Sequence, residues 1–220
     1  KAVITPLVLK CGWALLDMRQ DSRLAELLGD IFLELGQEVD EPSEDFLPLY
    51  DLQARSLMNL RRNGAARALL EQLIRIRETT QPKTHPLTLI TMSNLAQVLF
   101  SEGRHADAEA INRQTLEISE EVLGKTHPST ITVKSTLALI LSSQGKYADA
   151  EIMNRQTLEI SEEVLGKTHP STLANMSSLA LILSSQGKFA DAEAINRQTL
   201  EISEEVLGNT HPSTLTAMNT

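Results

Sequence analysis

The sequence predicts an all-α protein, a right-handed superhelical solenoid of antiparallel helix pairs. Three observations predict it. The first is a period: Gly103, Gly145 and Gly187 stand 42 residues apart, as do the His-Pro pairs beginning at His85, His127, His169 and His211. The second is punctuation, with a proline opening and a glycine closing segments inside each period. The third is leucine, isoleucine and alanine recurring at helical spacing between those marks. A helix pair of this length cannot bury its apolar face alone, and stacking copies of it makes a continuous core.

The elements follow in order. Residues 1–40 read as a degenerate N-terminal helix pair, Leu7 to Leu16 and Leu24 to Leu35, either a cap or the end of a preceding domain. The acidic, proline-bearing stretch before Phe46 reads as a loop. Residues 41–83 form a degenerate unit whose second helix begins near Gly64. Because Gly64 and Gly103 are 39 residues apart, that helix is expected to be three residues shorter than its successors. Residues 84–220 hold the near-identical units, 86–124, 128–166 and 170–208, and a partial unit at 212–220. The chain opens on Lys1 and closes inside a repeat, so it is expected to be a piece of a longer protein.

One unit shows the logic. Pro128 fixes φ and lacks an N–H, which suits the first turn of a helix. His127 before it is pushed out of the α region and reads as an N-cap or linker residue. Leu137, Ile140 and Leu141, with Ala138 beside them, mark one apolar face. Gly145 ends the helix as a left-handed residue. A second helix follows, carrying Ala150, Met153, Leu158, Ile160 and Val164, and Gly166 closes it. Ala138 and Ala150 are expected where the two helices touch.

Composition narrows the function. The net charge is −9, against phosphate-binding partners, which need clustered lysine and arginine. Neither nucleic acid nor a membrane is an expected partner. Aromatics are scarce, so the core is expected to consist of leucine, isoleucine, valine, alanine and methionine. The single cysteine, Cys11, is expected in the core, and a reducing cytoplasmic setting fits it. The recurring histidines are too far apart along a solenoid to share a metal and read as helix starts. His105, with Tyr147 and Phe189 as counterparts, reads as a packing position. Glu117, Glu120 and Glu121, with their counterparts at 159, 162, 163, 201, 204 and 205, read as a solvated helix face. Gly124-Lys125-Thr126 lacks the preceding glycine of a phosphate loop. No cofactor, metal or catalytic group is expected.

The pattern Leu137, Ala138, Leu141, Gly145, Ala150 resembles the tetratricopeptide repeat, whose usual unit has about 34 residues. The longer unit here is similar to repeats of kinesin light chains, and to near-identical arrays at the C-terminus of fungal NOD-like receptors. The eight extra residues are expected on the second helix. Asn154 and Thr157 depart from the general pattern, which has an aromatic and an alanine there, so the packing between repeats is expected to differ in detail.

The resemblance implies that the first helix of each pair lines a concave surface that holds a partner protein or peptide. Carried over position by position, that surface comprises Ile90, Ser93, Asn94, Gln97 and Phe100; then Thr132, Ser135, Thr136, Leu139 and Ser142; then Ala174, Ser177, Ser178, Leu181 and Ser184. It is neutral, with only Lys134 nearby, and an apolar or neutral polar guest is expected rather than a carboxylate. Five of the nine differences between 103–144 and 145–186 fall within 131–136, which reads either as tuning of recognition or as drift on a tolerant surface. The resemblance implies a non-enzymatic interaction scaffold, first the recognition array of a NOD-like receptor. The alternatives are a cargo adaptor of kinesin-light-chain type and a regulatory module of an enzyme. Self-association through the repeat ends is a further expectation.

Overall fold

The computed structural model describes residues 4–34, 46–80 and 84–207, all of whose regular elements are α-helices. The helices are α1 (Ile4–Asp17), α2 (Asp21–Glu34), α3 (Leu47–Asn59), α4 (Asn63–Thr80), α5 (Pro86–Ser101), α6 (His105–Val122), α7 (Pro128–Ser143), α8 (Tyr147–Val164), α9 (Pro170–Ser185) and α10 (Phe189–Leu207). The chain forms two compact units, residues 1–104 and 105–220. In the first, α1 packs on α2, α3 on α4, and each pair on the next helix in sequence. In the second, α7 packs on α8 and α9 on α10, with α6 against α7 and α8 against α9. The expected half unit at 212–220, the loop before Phe46 and Pro82-Lys83 lie outside the described residues.

The start of each first helix follows from its sequence. Pro86, Pro128 and Pro170 open α5, α7 and α9, and His85, His127 and His169 are their N-caps. Each imidazole Nδ1 accepts the backbone N–H two residues on, from Leu87 at 3.2 Å and from Ser129 and Ser171 at 3.1 Å. One of the orphan N–H groups of each helix start is thereby satisfied.

The turns inside the pairs revise the reading of the N-terminal half. The second helices begin at 21, 63, 105, 147 and 189, so the 42-residue spacing runs through all five pairs. The counterpart of Gly103 is Arg61, not Gly64. Gly64 is the second residue of α4, and α4 has 18 residues, the same as α6 and α8. The shorter second helix expected there does not exist. Gly103, Gly145 and Gly187 have φ of +77 to +79°, and Arg61 and Arg19 occupy the same place at +55 and +57°. The same two hydrogen bonds close these turns, for example Lys146 N–H to Leu141 O and Arg62 N–H to Leu57 O. A left-handed conformation costs a non-glycine residue roughly 1–2 kcal/mol, and two of five pairs carry that cost. In the long unit the second helix is the longer, α8 having 18 residues against 16 in α7.

Within the second unit the core follows the expected face. Leu137, Ala138, Leu141 and Ala150 are buried together with Ile182 of the next pair, and the equivalent cluster joins Leu179, Ala180, Leu183 and Ala192. The seam between pairs departs from the expected composition. Asn112, Thr115, Ser119 and Thr130, with Asn154, Thr157, Ser161 and Thr172, are fully buried. Asn112 Nδ2 donates to Val133 O at 2.8 Å, and Asn175 Nδ2 donates to Ser161 Oγ at 2.7 Å. Thr115 and Thr157 turn their hydroxyls onto Ile111 O and Met153 O of their own helices.

Cys11 is exposed rather than in the core. A Cβ at Gly12 would lie 2.7 Å from a Leu52 methyl, so α1 approaches α3 through its glycine. That contact turns Gly12 and Leu16 inward and leaves Cys11 outside.

Candidate partner-binding surface

The residues expected on the concave surface lie on α5, α7 and α9. On α5, Ile90 is 40 % exposed, Asn94, Gln97 and Phe100 are half-buried, and Ser93 is buried. On α7, Thr132 is exposed, Ser135 and Leu139 are half-buried, and Thr136 and Ser142 are buried. On α9, Ala174 and Leu181 are exposed, the leucine at 51 %, and Ser177, Ser178 and Ser184 are half-buried. The accessible subset of the second unit is therefore apolar or neutral: Thr132, Ser135, Leu139, Ala174, Ser177, Ser178, Leu181 and Ser184.

Most of the hydroxyls on this face are satisfied by their own helices. Thr132, Thr136, Ser177 and Ser178 reach the carbonyl four residues back at 2.9–3.1 Å, the usual local bond of a mid-helix serine or threonine. Ser135 Oγ lies 2.9 Å from Ile131 O and 2.5 Å from Asn175 Oδ1, and its single proton serves one at a time. Lys134, the one charged residue on α7 and α9, is paired with Glu120 at 2.7 Å. A guest on this face meets no uncommitted charge on these helices.

The variable stretch 131–136 faces inward. Ile131 and Val133 are 1 % exposed, Asn175 and Met176 are 3 %, and only Thr132 and Ala174 among the differing pairs are exposed on both helices. The differences between copies thus fall mainly in the packing of one pair on the next. Where α7 carries Val133, α9 carries Asn175, which ties Ser135 to Ser161.

A set of charged contacts holds successive pairs at the turn edge. Lys146, at the start of α8, donates to Glu109 of α6 at 2.9 Å, and Lys188 donates to Glu151 at 2.7 Å. Gln144 and Gln186 add bonds to His105 O and Tyr147 O. The lysine hydrogen bond is the main cause that holds each carboxyl down at about 2, with the arginine four residues on and the neighbouring glutamine helping. Spacing alone did not reveal this link, although Glu109 and Lys146 recur with the period. Glu117 and Glu121 are exposed as expected of a solvated face, and Phe189 is 69 % exposed. Among the described residues no three of His, Cys, Asp and Glu are grouped to hold a metal ion, and no helix is long and apolar enough to cross a membrane.

Solved structures share the helix-pair fold. A Podosopora anserina protein with nearly identical TPR-like repeats, described as a kinesin light chain, superposes with a TM-score of 0.69 at 22 % identity, covering 93 % of this chain and 97 % of that one. BtubC (BKLC) from P. vanneervenii gives 0.63 at 19 % identity over 86 % of this chain and 73 % of that one. Bacillus thuringiensis PlcR, solved with the peptide PapR7 and DNA, gives 0.76 at 11 % identity over 98 % of this chain and 74 % of that one. At these identities the likeness concerns the fold. No curated protein matches the chain. The tetratricopeptide repeat model matches residues 47–121, 92–163 and 129–205, overlapping stretches that together cover most of the chain. The chain belongs to the tetratricopeptide repeat family.

Proposed function

We propose that the chain is a non-enzymatic scaffold that binds a protein or peptide along the first helices of its pairs. The observation that carries this reading is the α7–α9 face. It exposes Leu181 and Ala174 and half-exposes Leu139 on helices whose only charge, Lys134, is already paired. Such a surface gains most from a partner with apolar side chains and little charge. PlcR, of the same fold, was solved with a peptide, which supports a peptide as the guest here. On the first unit, Ile90, Asn94 and Phe100 of α5 are proposed as partner contacts in their own right.

Within that class, the recognition array of a NOD-like receptor in the cytoplasm is the reading favoured by the near-identity of the units. A cargo adaptor is the second reading, favoured by the likeness to the Podosopora anserina repeats. Self-association through repeat ends would serve either.

The test is a display library of short peptides selected on the intact chain, with binders measured on the parent and on Leu181→Glu. The reading expects neutral, apolar-bearing sequences and at least a tenfold loss of affinity in the variant, with helicity unchanged because Leu181 is half exposed. Selection of strongly acidic or basic peptides that bind Leu181→Glu equally well would sink it.

A further inference from the structure

Five turns close the first helix of a pair with a residue at positive φ. Three hold glycine and two hold arginine, Arg19 and Arg61. Glycine is the default residue for this conformation because it lacks a Cβ. Backbone strain of this kind persists most often where a side chain has work to do. Both arginines line one cavity of about 470 Å³, bounded by the α1–α2 turn, the α3–α4 turn and the C-terminal half of α5. All of it lies within residues 1–104.

The chemistry of the cavity is specific. Besides the arginines, its walls include Asp21, Asn59, Asn63 and Gln97. Among the described residues neither the Arg19 nor the Arg61 guanidinium has an ion-pair or hydrogen-bond partner, and both side chains are exposed at the mouth of the cavity. Two other arginines of the same unit are engaged: Arg77 with Asp51 at 2.5 Å, and Arg67 with Glu102 at 3.2 Å. The carboxylate on the wall, Asp21, is committed to Asn59, whose Nδ2 donates to it at 2.7 Å. Asp21 and Asn63 are the first residues of α2 and α4, so the positive ends of two helix dipoles also meet the cavity. A second hollow of about 300 Å³ adjoins it and adds Arg23. In a chain of net charge −9 this is a locally basic recess.

We propose that this cavity binds a small molecule bearing an oxyanion, a carboxylate or a phosphate, with Arg19 and Arg61 as its anion-contacting residues. Guanidinium forks match both groups through paired N–H donors. The volume falls within the range of small-molecule pockets. The site is separate from the α7–α9 face and does not depend on the function proposed for it.

The test compares sodium phosphate and sodium succinate with sodium chloride at matched ionic strength and pH, using thermal unfolding and calorimetric titration of the intact chain. The expected result is a saturable calorimetric titration with at least one oxyanion that chloride does not produce, with a rise in Tm beside it. A rise in Tm without saturable binding is the general salting-out effect of phosphate and counts against the site. A response to phosphate alone assigns a phosphoryl ligand, and a response to succinate alone assigns a carboxylate. The double variant Arg19→Gly, Arg61→Gly gives these turns the residue of the other three. It is expected to keep its helical signal and to bind the responding anion at least tenfold more weakly. Arg19→Asn with Arg61→Asn, asparagine being tolerant of the left-handed region, repeats the test should the glycine variant unfold. The absence of any oxyanion response beyond chloride, or equal affinity in a folded double variant, would overturn the proposal.

Discussion

The first unit and the second solve the same packing problem with different chemistry at the same positions. Where α6 and α8 carry Asn112, Thr115 and Ser119, and Asn154, Thr157 and Ser161, α4 carries Leu70, Leu73 and Arg77. All nine are buried. In the first unit two leucines fill the seam, and the arginine bonds Asp51 on α3 and both Leu87 O and the Thr91 hydroxyl on α5. In the second, Asn112, Thr115, Thr157 and Ser161 bond the backbone of their own or the neighbouring helix, while the Ser119 hydroxyl and the Asn154 amide have no partner among the described residues. The clamp at the turn edge is reversed as well. Arg67 stands where Glu109 and Glu151 stand, and it pairs with Glu102, which takes the place of Gln144. The period and the turn geometry are common to both units, and the side chains between pairs are not. The backbone repeat therefore does not dictate the seam.

The largest expected effect tests the ionic seam. Asp51→Ala leaves the Arg77 guanidinium, 1 % exposed, without its counter-charge. Burial pushes the Asp51 carboxyl up while Arg77 opposes that rise, so the carboxylate is held at a solvation cost that only its partner offsets. Removing one partner of a buried pair costs about 3–5 kcal/mol, which urea unfolding of the variant would show. A loss under 1 kcal/mol would mean that the hydroxyl and carbonyl contacts of Arg77 suffice.

Next come Ala138→Leu and Ala150→Leu. Both alanines are fully buried between α7 and α8, beside Leu137 and Leu141. Overpacking there should cost about 1–3 kcal/mol, read as a lower midpoint in thermal unfolding. An unchanged midpoint would show that the pair can open without loss.

These two tests also mark what the sequence made legible. The helix pairs, the proline starts and the alanine contacts of the second unit were readable because near-identical copies repeat the signal. In the first unit the turn position was hidden. Arginine carries no sequence mark of a left-handed turn, and Gly64, three residues further on, offered a false one. The seam was hidden for a related reason. Thr115 and Ser161 look like surface residues by composition, and their burial depends on bonds to helix carbonyls that no periodicity announces. On the candidate surface, resemblance supplied the helices but not the rotation of each side chain. Ser93, Thr136 and Ser142 are buried, while Leu181 stands out.

The polar seam can be resolved by its two asparagines. Asn112 donates to Val133 O, whereas neither side-chain polar atom of Asn154 has a partner among the described residues, though both side chains are fully buried. Asn112→Ala removes a made bond to a buried carbonyl that keeps its own helical donor, at a cost of about 0.5–1.5 kcal/mol. Asn154→Ala removes a group that already bears its desolvation, so its cost should be nearer zero. Chemical denaturation of the two variants side by side checks the order, and equal losses would show that the seam treats both copies alike.

The smallest effect concerns the turn-edge clamp, and its sign is fixed by the carboxyls. Glu109 and Glu151 titrate at about 2 in the folded chain, down from 4.5. A lowered carboxyl contributes stability that is present above about pH 4.5 and is lost as the pH falls towards 2. Lys146 and Lys188 are each 46 % exposed, so solvent screens the pairs, and each is worth about 0.2–1 kcal/mol. The double variant Glu109→Gln, Glu151→Gln should therefore be less stable than the parent at pH 7. The gap should close on acidification, and 1 M salt should narrow it at neutral pH. A gap that stays constant from pH 7 to pH 2.5 would assign these residues a packing role and leave the reversed Arg67–Glu102 pair as the one electrostatic clamp of the two.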